Sequence, residues 1–128
     1  MKNSGSVLLY NCSGGKFSKL QQIFAMLRLR MRVVTPDRYH LPLSDLAQGL
    51  GEAGESAEAI PESMLVFCNV SAPLVQQILE ILRVGKLPPI PLKAVMTESN
   101  KDWTSIQLYE ELCKERQAVA EGKEAHNS

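Results

Sequence analysis

The sequence predicts a single small α/β domain, a three-layer, doubly wound fold on a mainly parallel four-stranded sheet. Short apolar runs alternate with stretches whose apolar residues recur every three or four positions, which is typical of strands alternating with helices. Two of the four apolar runs carry a basic residue and two carry none, as expected for edge and central strands. With right-handed crossover connections, these features predict the strand order 2-1-3-4.

The first strand and helix occupy the N-terminal quarter of the chain. Residues 7–11 read VLLYN, a short apolar run, and an apolar stripe at helical spacing follows over residues 16–31. Residues 32–35 read RVVT, begin with a charge and end before Pro36, as an edge strand does. Together these segments predict a first βαβ unit.

Residues 36–63 show a weaker pattern and are predicted to be a weakly structured connection. Ser44 is placed to cap a short helix that runs to Leu50. The acidic segment 52–62 has no apolar period and is interpreted as a solvated surface loop, although a lid over a ligand is the alternative. Its charge is opposite to that of residues 1–45, so the two stretches could attract each other.

A second strand, helix and strand follow the connection. Residues 64–70 read MLVFCNV, an almost unbroken apolar run typical of a central strand. Ser71 is a good N-cap for the next helix, which Gly85 and the following prolines end. Residues 92–97 read LKAVMT, in which apolar residues alternate and Lys93 indicates an edge strand.

The last helix begins with a capping box from Thr104 to Gln107, and Trp103 and Leu108 occupy the positions of a hydrophobic staple. It should fray near Gly122. We therefore expect one α/β domain over residues 1–122 and a polar tail over 123–128. A split βαβ, ferredoxin-like arrangement is the alternative, and it would need antiparallel neighbouring strands.

Composition limits the functional classes. Lys plus Arg and Asp plus Glu both number 14, so no net charge favours nucleic acid or a membrane as partner. A basic helix face is interpreted as solvated; its residues are Lys16, Lys19, Arg28, Arg30 and Arg32. The three cysteines are widely spaced and odd in number, which favours a reducing cytoplasm. No secretion signal, metal-ligand spacing or cofactor motif is recognised, so we predict no metal and no cofactor.

The segment LKAVMTESNKDW carries a signature of seven fixed positions, namely Leu92, Lys93, Ala94, Val95, Thr97, Asn100 and Trp103. It resembles the L-K-A-V-x-T-x-x-N-x-x-W signature of a bacterial family of small uncharacterised proteins, domain-of-unknown-function family 3783. The resemblance extends mainly over residues 64–112. It implies a bacterial origin and a compact α/β unit, and it brings no activity, substrate or catalytic residue.

A binding crevice is predicted beyond the carboxyl ends of the strands, where ligands bind in open α/β sheets. With the order 2-1-3-4 the strand order reverses between the first and third strands, and polar residues meet there beside helix N-termini that favour anions. The predicted crevice residues are Asn11, Cys12, Ser13, Gly14, Gly15, Lys16, Asn69, Ser71, Thr97 and Asn100. A tight turn explains Gly14 and Gly15 equally well.

Cys12 is the candidate catalytic residue of an alternative hypothesis, because a thiol at a strand end near a helix N-terminus would have a lowered pKa. Residues 7–20 are similar to the IIB-type phosphocysteine carriers of sugar phosphotransferase systems, whose loop reads C-x-x-G-x-S. Gly15 fits that loop, but Phe17 stands where the serine belongs. Low-molecular-weight tyrosine phosphatases need an arginine where this chain has Ser18.

Two functions therefore remain open. The preferred one is a non-catalytic binding or regulatory module, in which the crevice or a surface around Lys93 and Trp103 contacts a protein or a small anion. The alternative is a thiol-dependent or phosphoryl-transferring protein centred on Cys12. The exposure of Trp103 bears on the first: a buried indole indicates a structural clamp, and a half-exposed one beside Asn100 indicates a contact site.

Overall fold

A computed structural model describes residues 5–12, 15–85, 87 and 90–127, with the backbone alone for Lys16 and 119–127. It contains one four-stranded sheet in the order β2-β1-β3-β4, so the predicted α/β class and the strand order 2-1-3-4 are confirmed. The strands are β1 (Ser6–Tyr10), β2 (Arg30–Val33), β3 (Met64–Cys68) and β4 (Leu92–Val95), and the helices are α1 (Ser18–Met26), α2 (Leu43–Gln48), α3 (Ala72–Val84) and α4 (Ser105–Asn127).

The sheet is mixed. The β1–β2 and β3–β4 pairs are parallel, as predicted, whereas the central β1–β3 pair is antiparallel, with Leu8 opposite Val66. Each βαβ unit is therefore parallel within itself, and the two units run in opposite directions. As a consequence, the carboxyl ends of β1 and β3 lie at opposite ends of the sheet.

Helices cover both faces of the sheet, as the doubly wound prediction requires. On one face α1 and α3 pack on alternate strand residues, a core that includes Val7, Leu9, Leu65, Phe67, Leu20, Phe24, Val75 and Ile78. On the other face α2 and α4 pack on the remaining ones, a core that includes Leu8, Tyr10, Met64, Val66, Leu43, Leu46 and Leu108. The ferredoxin-like alternative, whose helices share one face, is not what forms.

Helix α1 is shorter than the predicted span, which ran to residue 31. It ends at Met26 because Arg28 adopts a left-handed conformation with φ of 62°. The N–H of Leu29 then donates to the carbonyl of Phe24 over 3.1 Å, a closing bond typical of helix C-termini. No glycine marks this end in the sequence. Strand β2 consequently begins at Arg30, two residues before the predicted start.

The predicted connection over residues 36–63 contains a short 3-10 turn, Pro36–Arg38, and helix α2. Ser44 is not the N-cap of α2; it lies inside the helix, which begins one residue earlier. The N–H groups of Leu43 and Ser44 donate over 2.9 Å to the carbonyls of Trp103 and Lys101, so backbone oxygens satisfy this helix end in place of a side chain.

The two βαβα units are related by an approximate two-fold axis perpendicular to the sheet. The first unit comprises β1, α1, β2 and α2, and the second comprises β3, α3, β4 and α4. The β1–β3 register is symmetric about the Leu8–Val66 pair, and equivalent helices lie on the same face. Asn11 and Asn69 occupy equivalent positions in this arrangement, three residues past Leu8 and Val66.

Within the described residues, no helix combines the length and the apolar character needed to cross a membrane.

Candidate functional site

The structure divides the predicted crevice into two groups. Asn11, Cys12 and Gly15 follow β1 at one end of the sheet, close to the start of β3. Asn69 and Ser71 follow β3 at the opposite end, together with Thr97 and Asn100, which follow β4. The antiparallel central pair is the reason for the separation. Ser13, Gly14 and the side chain of Lys16 lie outside the described residues.

At the carboxyl end of β1, the polar groups of Asn11 are used inside the protein. Its Nδ2 donates to the carbonyl of Pro61 over 3.2 Å, and its own carbonyl accepts from Ser63 Oγ over 2.8 Å. Asn11 has φ of 57°, a left-handed conformation that asparagine tolerates better than most residues. Asn11 thereby joins the end of β1 to the segment that leads into β3.

The Cys12 thiol is buried, with 4% of the residue exposed. Its Sγ points at the carbonyl of Tyr10 over 3.3 Å and lies 4.0 Å from that of Met64. Burial raises the pKa of the thiol, and hydrogen bonds from the surroundings offset this only in part. The direction is opposite to the one that a reactive thiolate requires. The geometry matches a small apolar residue at a strand end.

At the opposite end, Thr97 and Asn100, two residues of the predicted signature, are hydrogen-bonded to each other. The Thr97 N–H donates to Asn100 Oδ1 over 2.7 Å, and the Asn100 N–H donates back to Thr97 Oγ1 over 3.3 Å. Asn100 Nδ2 also donates to the carbonyl of Val95 over 3.2 Å. These bonds fix the turn between β4 and α4, a structural reason for the two residue types. Ser71 nearby caps α3 as predicted, accepting from the N–H of Leu74.

The other signature residues also make internal contacts. Lys93 Nζ donates to the carbonyl of Ile90 over 2.7 Å. Trp103 is half-buried and packs against the core on the α2/α4 face, where the staple position before a helix puts it. The capping box forms as predicted, since the N–H groups of Thr104 and Gln107 donate to each other's side chains. The packing of Trp103 on this core fits the clamp interpretation. Its partial exposure, with its N–H donating to the carbonyl of Asn100 over 2.9 Å, is what the contact-site interpretation predicts, so that interpretation stays a prediction.

A pocket lined by two basic residues and no acidic one lies elsewhere, between β2 and α2. It has a volume of about 330 Å³, and Arg32 and Arg38 are its two basic lining residues. Its lining residues are Met31, Arg32, Val33, Val34, Arg38, Leu46, Gly49 and Leu50. We refer to it as the arginine pocket.

Arg32 extends from β2 toward α2. It lies beside Leu8 in the parallel pair, and Leu8 packs on the α2/α4 face. Its guanidinium lies against Gly49, where a Cβ atom would come within 2.8 Å of Nη1. The Nε atom is buried and has no hydrogen-bond partner within the described part of the chain. A buried donor without a partner typically costs about 1–3 kcal/mol, more for a charged group.

Three of the last carbonyls of α2 have hydrogen-bond donors other than Arg32. The carbonyls of Asp45 and Leu46 already accept from the N–H groups of Leu50 and Gly49 over 2.9 and 3.2 Å. The carbonyl of Ala47 accepts from Ser6 Oγ over 3.1 Å. The last helical carbonyls thus have donors without the guanidinium.

Carboxylates do not neutralise the arginine pocket either. Arg38 Nη1 makes a long bond of 3.4 Å to the carbonyl of Gly51. The ion pairs among the described residues lie in other places: Arg83–Glu80, Lys101–Glu98, Lys114–Glu111 and Arg116–Glu62. The predicted attraction between the acidic segment and the basic N-terminal stretch is absent from these pairs, since Glu62 pairs with Arg116 of α4.

Sequence reasoning missed the arginine pocket because it assigned residues 16–31 to one helix. Arg28, Arg30 and Arg32 are accordingly interpreted as a solvated helix face, although Arg32 is also placed at the start of the predicted edge strand 32–35. The structure puts both Arg30 and Arg32 in β2. The alternation of basic and apolar residues over 28–32 is the signal that could have found the strand, because a period of two is typical of strands.

Comparison with known proteins gives a family match for one part of the chain. Residues 63–119, which contain β3, α3, β4 and most of α4, match the family model described as Domain of unknown function (DUF3783). No curated protein and no solved structure matches the chain. The match coincides with the second unit of the two-fold arrangement. The predicted resemblance to this domain family is thus confirmed over residues 63–119.

Proposed function

We propose that this protein is a non-catalytic binding module whose ligand site is the arginine pocket, where Arg32 and Arg38 hold a carboxylate or phosphate group. The observation that carries the proposal is the buried Nε of Arg32, which has no partner among the described residues. A bound anion would compensate the charge of the guanidinium, and it would reach Nε after a small movement of the side chain, because this atom has almost no exposed surface. Guanidinium groups bind both carboxylates and phosphates through paired N–H groups.

The internal two-fold arrangement supports a functional role for Arg32. Its equivalent in the second unit is Ala94, which lies beside Val66 as Arg32 lies beside Leu8. An alanine therefore suffices at this position of a βαβα unit. The fold does not require a charge at this position, so binding of an anionic ligand would explain why Arg32 is there.

The alternative function, thiol or phosphoryl chemistry at Cys12, has less support. A buried thiol with a raised pKa remains protonated at neutral pH, and a protonated thiol is a poor nucleophile. The polar groups of Asn11 next to it are engaged in internal hydrogen bonds. We therefore favour binding over catalysis.

A titration of ¹⁵N-labelled protein with sodium phosphate or sodium glutarate, at constant ionic strength, tests the proposal. The side-chain Nε–Hε signals of Arg32 and Arg38 should shift saturably, with dissociation constants of about 1 mM, which corresponds to about 4 kcal/mol. Chloride at the same ionic strength should leave them in place. The absence of saturable shifts at Arg32 would refute an anion site.

Two variants make the test specific. Arg32→Ala removes the buried guanidinium and should abolish the shifts at Arg38. Arg83→Ala removes one positive charge from an exposed ion pair on α3, and exposed pairs contribute little to stability. It should therefore leave the titration unchanged. Equal weakening by both variants would indicate only a general charge effect and would reject the pocket.

We also infer a bacterial origin and a cytoplasmic location. The family resemblance supports the first. For the second, Cys12, Cys68 and Cys113 are all free thiols, as expected in a reducing compartment. The location can be tested with a membrane-impermeant thiol reagent, applied to cells that express the chain before and after lysis. A cytoplasmic location predicts that the protein is labelled only after lysis.

A further inference from the structure

We infer that the partner is an extended acidic peptide that pairs with the open edge of β2 and inserts a carboxylate between Arg32 and Arg38. This inference rests on the proposed anion site. It adds the chemical class of the partner and its mode of binding, in which a peptide strand extends the sheet.

Strand β2 has an open side because it is the last strand of the sheet. The N–H groups of Arg30 and Val34 donate to the carbonyls of Gly5 and Leu9 over 3.1 and 3.0 Å. Since alternate residues of a strand donate in opposite directions, the N–H groups of Met31 and Val33 point away from β1. They are the donors that an added strand would use.

The side chains along this edge specify the composition of the peptide. Met31 and Val33 are 36% and 60% exposed and lie on the α1/α3 face, whereas Arg32 lies on the α2/α4 face. A peptide strand that alternates apolar and acidic residues would cover Met31 and Val33 with one face. Its other face would direct carboxylates toward the arginine pocket.

Space is available at both sides of the carboxyl end of β2. Val33 and Val34 line the arginine pocket and also a second pocket of about 320 Å³ beside Asn11 and Tyr39. A pocket with a largely apolar lining therefore lies next to the residue that ends β2.

The charge of the edge favours an acidic peptide over a second copy of this chain. Pairing of β2 with β2 would bring Arg30 and Arg32 close to their counterparts, and like charges on neighbouring strands repel. Pairing with the other edge strand, β4, would add the positive charge of Lys93, which is an exposed residue. An acidic strand instead compensates the charges at this edge.

A fluorescein-labelled peptide of alternating valine and glutamate is the probe. It should bind the full chain in an anisotropy titration and slow amide hydrogen exchange at Met31 and Val33. We expect Arg32→Ala to weaken binding at least tenfold and Arg83→Ala to change it less than twofold. A matching peptide with glutamine in place of glutamate should bind at least tenfold more weakly.

A peptide with the same sequence and alternate N-methylated amides separates this inference from the proposed function. If it binds as well as the unmodified peptide, carboxylates enter the arginine pocket without strand pairing, and the inference is wrong although the anion site stands. The same holds if neither peptide binds while phosphate still shifts the Arg32 signal. If phosphate also fails, both proposals fall.

Two further results would overturn the inference in favour of another occupant. One is protection of Met31 and Val33 that rises with protein concentration alone, together with dimer formation in sedimentation, because this identifies a second copy. The other is tighter binding of a single-stranded oligonucleotide than of the peptide, lost in Arg32→Ala, because this identifies a phosphate backbone.

Discussion

Arg32 and Ala94 occupy equivalent positions in the two units of the sheet. Arg32 lies beside Leu8 on β1, and Ala94 lies beside Val66 on β3. The environments differ. Ala94 packs against the α2/α4 core, whereas Arg32 carries a buried Nε that lacks a hydrogen-bond partner among the described residues.

The first prediction concerns the stability of the Arg32→Met variant. Methionine keeps an unbranched apolar stem and removes the unsatisfied buried donor, so the free energy of unfolding should rise by about 1 kcal/mol. Urea unfolding followed by the fluorescence of Trp103 measures the change. Arg30→Met, at an exposed position of the same strand, is the control and should stay within about 0.5 kcal/mol of the wild type. A loss of stability in Arg32→Met would mean that Arg32 supports the fold.

The sequence predicts the strand order but not the direction of β3. Charge on the two edge strands and its absence from the central ones establish the order, since burial on both faces excludes unpaired charges. Direction depends on where the connection over residues 36–63 returns to the sheet. There, the carbonyl of Asn11 accepts from Ser63 and that of Pro61 accepts from Asn11, so the chain enters β3 beside the end of β1. Local patterns contain no information on such long-range contacts.

The candidate site shows the same limit. The predicted crevice depended on parallel central strands, and one reversed pair separates Cys12 from Asn69. The arginine pocket depended on where α1 ends, and Arg28 ends it without the glycine that usually marks a left-handed position. By contrast, the capping box at Thr104 and the N-cap at Ser71 were predicted correctly, because both are contacts between residues three positions apart.

The second prediction addresses the signature residue Asn100. Asn100→Ala removes the bonds from its side chain to Thr97 and Val95, so the free energy of unfolding should fall by about 2 kcal/mol, near 1 kcal/mol for each bond. Ser99→Ala is the control, because Ser99 contributes only its N–H to this turn. Urea unfolding measures both. Unchanged stability in Asn100→Ala would mean that these hydrogen bonds do not hold the turn.

The third prediction concerns stability at alkaline pH. Burial raises the pKa of Cys68 from 9.0 to about 12. Between these two values the unfolded chain has lost this proton and the folded chain still holds it, so stability is complete below about pH 9 and falls as pH rises. From about pH 8 to about pH 10 the contribution of Cys68 to this loss is about 1.4 kcal/mol, the equivalent of one pKa unit.

Urea unfolding of the Cys68→Ala variant at both pH values measures that contribution. The variant should be less stable at pH 8, and its further loss by pH 10 should be smaller than that of the wild type by about 1.4 kcal/mol. Val66→Ala, which creates a cavity in the same core without removing a titrating group, should keep the full pH dependence. If Cys68→Ala keeps it as well, Cys68 is not the group responsible.

The last prediction separates the binding module from the thiol enzyme. Alkylation of native protein by iodoacetamide near pH 7.5 should label half-buried Cys113 at least tenfold faster than Cys12, because Cys12 is only 4% exposed and burial raises its pKa. Mass spectrometry of the digested protein gives the rate at each cysteine. Cys68, which has no exposed surface, provides the reference for labelling through local opening. A Cys12 that reacts before Cys113 would show that the region beyond β1 opens to solvent. It would then favour the hypothesis of a thiol-dependent protein over that of a binding module.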